Sequence, residues 1–62
     1  MNTQSITISL IGNTWHAKHS DPEVSRLFGT DTIPTPFTAQ TSSERVLWEI
    51  RQRNPYHEVT IA

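Results

Sequence analysis

Two short alternating stretches that meet at Gly12-Asn13 constrain this chain more than any other feature. Ile6, Ile8 and Leu10 take every second position after Ser5, with Thr7 and Ser9 between them. That is the period of a strand with one buried face. Beyond Gly12-Asn13 a second alternation runs through Thr14, Trp15, His16, Ala17 and Lys18. Gly-Asn between such segments is a favoured two-residue hairpin turn, with φ > 0 accessible at both positions. The register then follows. If Ile11 faces Thr14, Leu10 faces Trp15 and Ile8 faces Ala17, so the apolar partners share one face. Thr7, Ser9, Ile11, Thr14, His16 and Lys18 collect on the other. A slip of one residue would carry the whole apolar set to solvent.

Ser20-Asp21-Pro22-Glu23 reads as a helix start. Ser20 or Asp21 can cap, Pro22 suits the first turn, and the acids favour the positive end of the dipole. Val24, Leu27 and Phe28 lie on one face, and Gly29 closes the helix after about two turns. A second helix starts at Thr41-Ser42-Ser43-Glu44. Ser42 or Ser43 can cap it, and Thr41 with Glu44 has capping-box spacing. It runs to about Arg53, with Arg51 and Arg53 at its negative end, and stops at Asn54-Pro55. His57 to Ile61 reads as a final strand. Met1 to Gln4 is expected to fray.

Residues 29–41 show neither period. They read as an ordered Thr/Pro-rich loop bounded by the Gly29 cap and the Ser/Thr cap. Pro34 and Pro36 stiffen it, and Ile33 and Phe37 fasten it to the body. The expected architecture is one α/β (α+β) domain over residues 1–62, a small two-layer sandwich of order β-β-α-α-β. Its three-stranded sheet has the first strand central, with the last strand parallel to it, and both helices cover one face.

Composition narrows the function. Sixty-two residues bury only about 60% of their unfolded surface, so stability is marginal. With no cysteine, neither a disulfide nor a thiolate metal site can help, and oligomerisation remains as support. Five basic against six acidic side chains give a net charge of −1, which argues against a nucleic-acid binder. Lys18, Arg45, Arg51 and Arg53 with Trp48 are a last-ranked option there, because the arginines spread around the helix. No stretch reaches membrane-span length and no signal-peptide pattern opens the chain, so a cytoplasmic protein is expected. The two glycines form no phosphate loop. No spacing marks a nucleophile elbow or an acid/base pair, and so thin a domain has little depth to exclude water. The chain therefore reads as a non-enzyme without cofactor. His16, Lys18 and His19, with His57 or Asp21, invite a metal reading, but His16 and His19 point to opposite faces of a strand. No metal is expected.

Trp48 is the residue that a bland fold leaves unexplained. At about 100° per residue, Ser43, Val46, Leu47 and Ile50 share one helix face and Trp48 falls opposite. Arg45, Gln52, Glu44 and Arg51 surround it. A large aromatic ringed by Arg and Gln has the composition of an interface hot spot. The competing account packs Trp48 under the loop, against Ile33 or Phe37. The loop adds Thr35 and Phe37 to the contact set. Thr30, Asp31, Thr32 and Thr38 could offer polar groups to a small ligand, or could serve a stiff connector. The chain is thus read as a non-enzymatic protein-interaction module: a regulatory subunit, adaptor or inhibitor. It would bind another protein or itself through Trp48, Arg45, Gln52, Arg51, Thr35 and Phe37. The alternative is an oligomeric small-ligand or sequestering protein with its site between copies, since one copy is too small to enclose a typical pocket. Exposed strand edges offer a further route, by sheet extension between copies.

Overall fold

The computed structural model describes residues 3–62. The hairpin forms in the register that the alternation requires: β1 (Ser5–Ile11) pairs antiparallel with β2 (Thr14–His19), with Leu10 opposite Trp15 and Ile8 opposite Ala17. Within the turn Gly12 takes a positive φ, 63°, while Asn13 does not. One left-handed residue at the first turn position suffices, which is the type II′ geometry.

Asp21 caps α1 (Pro22–Phe28) by accepting the Glu23 amide at 3.0 Å. Gly29 ends it with φ 75°. Ser20, the other cap candidate, instead ties the end of β2 to the start of β1: its Oγ accepts the Ser5 amide and donates to Gln4 Oε1. Gln4 also accepts the Glu58 amide, so it belongs to the fold and not to a frayed end. Met1 and Asn2 lie outside the described residues.

The largest correction falls on residues 29–41. They hold a strand, β3 (Thr32–Thr38), antiparallel to β2 and at the edge of the sheet. The sheet therefore has four strands in the order β3-β2-β1-β4, not three, and the element order is β-β-α-β-α-β. Proline gives the ladder no N–H, so a strand holding Pro34 and Pro36 is confined to an edge. The register shifts between Thr14 and His16, where Thr35, Pro36 and Phe37 of β3 bulge opposite the single residue Trp15. There the Thr35 hydroxyl donates to Trp15 O at 2.7 Å and accepts the Phe37 amide at 3.2 Å. A side chain has taken over a backbone group's work. Thr35→Val, which keeps the shape and deletes the hydroxyl, is expected to lower stability by about 1–2 kcal/mol in urea unfolding.

Ser42 caps α2 (Ser43–Arg53), its Oγ accepting the Arg45 amide. The helix brings the chain back to β4 (Glu58–Ile61), which runs parallel to β1 with Val59 opposite Ile6. The core lies between sheet and helix: Ile6, Ile8, Trp15, Ala17, Val59, Val46 and Ile50, with Phe37 and Leu47 packed against it. Each fully buried aliphatic side chain contributes about 1.5–3 kcal/mol. The expectation that two helices cover this face is corrected too. Helix α1 buries no residue, and Leu27 and Phe28 are each 66% exposed. Only α2 supplies the second layer. No helix of the described residues is long and apolar enough to cross a membrane.

Candidate interaction surface

Helix α2 is oriented by its apolar stripe. Val46 and Ile50 face the sheet, so Trp48 is turned to solvent on the opposite side, 53% exposed. The Arg45 guanidinium stands 5.6 Å from the Trp48 ring centroid, within range of a cation–π attraction. Arg45 and Arg53 both reach the Glu49 carboxylate at 3.4 Å. Such exposed pairs contribute about 0–1 kcal/mol each, but they hold Arg45 beside the ring. Arg51 turns the other way, toward the sheet edge, and donates to Val59 O at 3.2 Å.

The six expected contact residues therefore divide. Trp48, Arg45 and Gln52 lie on the outer face of α2, all exposed. Arg51 sits over β4. Thr35 is occupied at the β3 bulge, and Phe37 packs beside the core. The aromatic beneath the Thr/Pro segment is thus Phe37, and Trp48 is free of it. The four candidate ligand residues are engaged locally. Thr30 Oγ1 accepts the Thr32 amide, Thr32 Oγ1 donates to Asp31 Oδ1, and Thr38 Oγ1 accepts the Gln40 amide.

An open apolar cleft of about 190 Å³ lies between β3 and the end of α2, walled by Ala17, Ile33, Phe37 and Ile50, with Arg53 and His19 at its rim. None of Thr30, Asp31, Thr32 and Thr38 lines it. It falls below the few hundred Å³ of a typical ligand site. The opposite sheet face holds a larger open hollow of about 370 Å³ among Ser5, Thr7, Ser9 and Lys18.

His19 stands opposite Ile6 and so lies on the core face, while His16 stands opposite Ser9 on the other. Burial, followed by the proximity of His57, lowers the His19 pKa below 6.5, and Asp21 opposes the shift. The buried Nδ1 of His57 has no hydrogen-bond partner among the described residues. No three His, Asp or Glu side chains among them converge as a metal site would require. The lowered pKa has a consequence for stability. Between it and 6.5 the unfolded chain binds the proton that folded His19 refuses, so stability falls as pH drops through that window. The melting temperature should be lower near pH 5.5 than near pH 7.5, and His19→Gln should make that slope shallower.

Two features of this geometry escaped the sequence. Trp15 Nε1 donates to Thr41 O at 3.0 Å and pins the start of α2 to the sheet. Arg51 covers an outward carbonyl of β4. Both bonds join residues that no local pattern relates. Comparison with protein-family models, with curated proteins and with solved structures finds no match.

Proposed function

We propose that this chain is a non-enzymatic protein-interaction module of the cytoplasm, a regulatory subunit, adaptor or inhibitor, whose anchor is Trp48. The observation that carries the reading is the exposure of Trp48 opposite the core, with Arg45 stacked over its ring. A tryptophan used for stability would face inward, as Trp15 does. Trp48 is instead presented on a rigid, capped helix, so contact requires little ordering of the side chain. Aromatic and arginine side chains together dominate interface hot spots. Gln52 supplies a polar neighbour for the rim.

Trp48→Ala tests this directly. As a surface change it should alter folding stability by no more than about 0.5 kcal/mol. Affinity for a protein captured from the native host should fall by about thirtyfold or more, the scale of a hot-spot truncation. Unchanged capture by a folded Trp48→Ala chain would sink the reading. So would a variant that unfolds, because Trp48 would then be a structural residue.

A further inference from the structure

The two edges of the sheet are treated differently. Strand β3 carries Pro34, Pro36 and a bulge, devices that block edge-to-edge pairing. Strand β4 carries none of them. Its inner side is used by β1: the amides of Glu58 and Ala62 donate to Gln4 O and Ile8 O. Alternate residues of a strand point their backbone groups to opposite sides, so Val59 and Ile61 turn theirs outward. Arg51 on Val59 O marks that outward direction.

We propose that the occupant of this edge is a second copy of the chain, with β4 pairing antiparallel to β4 about a two-fold axis through Thr60. This rests on the interaction-module reading and names the partner. In that register Val59 meets Ile61 of the second copy, and Ile61 meets its Val59. The outward groups of both residues then close four main-chain hydrogen bonds. Glu58 stands opposite Ala62, so the two Glu58 side chains do not face each other. Ile61, 44% exposed in the single chain, gains an apolar neighbour.

The helix above the edge is self-complementary in the same sense. Helix α2 lies beside β4 and is bonded to it through Arg51 and Val59 O. Glu44, Leu47 and Arg51 follow i, i+3, i+7 spacing and form one stripe, whose Arg51 end is placed at β4 by the bond to Val59 O, with Trp48 on its solvent side. A two-fold axis sets the two α2 helices antiparallel. Glu44 of each copy then meets Arg51 of the other, twice, around Leu47, with Trp48 at the solvent rim. On pairing, the Ile61 amide of the second copy replaces Arg51 at Val59 O, and the guanidinium is released to the Glu44 of that copy. The surface balance favours such an addition. Seven large apolar side chains of the described residues are exposed, as many as form the core.

Light scattering on the full chain up to about 1 mM should give twice 7.1 kDa. Glu44→Arg and Arg51→Glu should each raise the dimer dissociation constant at least about tenfold, since each sets like charges face to face. An equal mixture of the two variants should recover the dimer, because both contacts are then complementary. Ile61→Pro deletes an outward amide together with the Ile61–Val59 side-chain contact between copies, and should weaken the dimer at least about tenfold with the circular dichroism spectrum unchanged. A wild-type chain that stays monomeric at 1 mM overturns the proposal, as does a mixture that recovers nothing. A monomer that still loses a host protein on Trp48→Ala leaves the interaction-module reading standing alone. A dimer unmoved by Trp48→Ala but broken by the charge variants sinks Trp48 as the anchor and keeps the edge pairing.

Discussion

Ile8→Ala is expected to leave a large part of the chain unfolded at room temperature. Ile8 is fully buried on β1, an interior strand flanked by β2 and β4. Truncating a buried isoleucine to alanine costs about 2–5 kcal/mol, through lost transfer energy and the cavity left behind. At roughly 0.05–0.15 kcal/mol per residue, a chain of 62 residues has a total stability of the same order. With seven core residues, there is little around the cavity to collapse into it. Far-UV circular dichroism with urea titration reads the effect, and Ile11→Ala is the control. Ile11 is 52% exposed and its truncation should be close to neutral. A lower midpoint for Ile11→Ala than for Ile8→Ala would mean that the β1 faces are assigned the wrong way round.

The second large effect is expected at Trp15. Trp15→Ala should cost about 3–5 kcal/mol, and Trp15→Phe about 1–2 kcal/mol, because the ring is kept while the bond to Thr41 O is lost. The two variants separate packing from anchoring. Thr41 directly precedes the Ser42 cap, so the phenylalanine variant should loosen the start of α2. Faster amide exchange at Arg45 and Val46, with the hairpin amides unchanged, is the expected signature. The two tryptophans also report separately by fluorescence. Trp48→Phe leaves only the buried, blue-shifted emission of Trp15.

The hairpin was legible because its two faces differ in kind, so that only one register keeps Ile8 opposite Ala17 and Leu10 opposite Trp15. Caps were legible for a similar reason: Asp21, Gly29 and Ser42 have local jobs that local sequence describes. Strand β3 was not. Its alternation is present, with Ile33, Thr35 and Phe37 half-buried and Pro34, Pro36 and Thr38 exposed. Two prolines conceal it, since they exclude an interior strand and say nothing against an edge. Helix α1 misled in the opposite direction. Val24, Leu27 and Phe28 make an apolar face, but a sequence cannot say whether a two-turn helix reaches the core. Trp48 was placed correctly opposite the apolar stripe of α2. What lies beside it was hidden, because the Arg51–Val59 bond depends on where β4 docks.

The pairing of Ile6 with Val59 also shapes how the molecule is made. β1, β2 and β3 form a meander from neighbouring segments, which closes quickly. The parallel partner of β1 arrives only after α2 has been laid down, and loop closure of that span carries the larger entropic barrier. During vectorial synthesis β1 is therefore an edge strand for a time, with Ile6 and Ile8 uncovered. The chain's most aggregation-prone interval is the delay before β4 docks, and any change that slows α2 lengthens it.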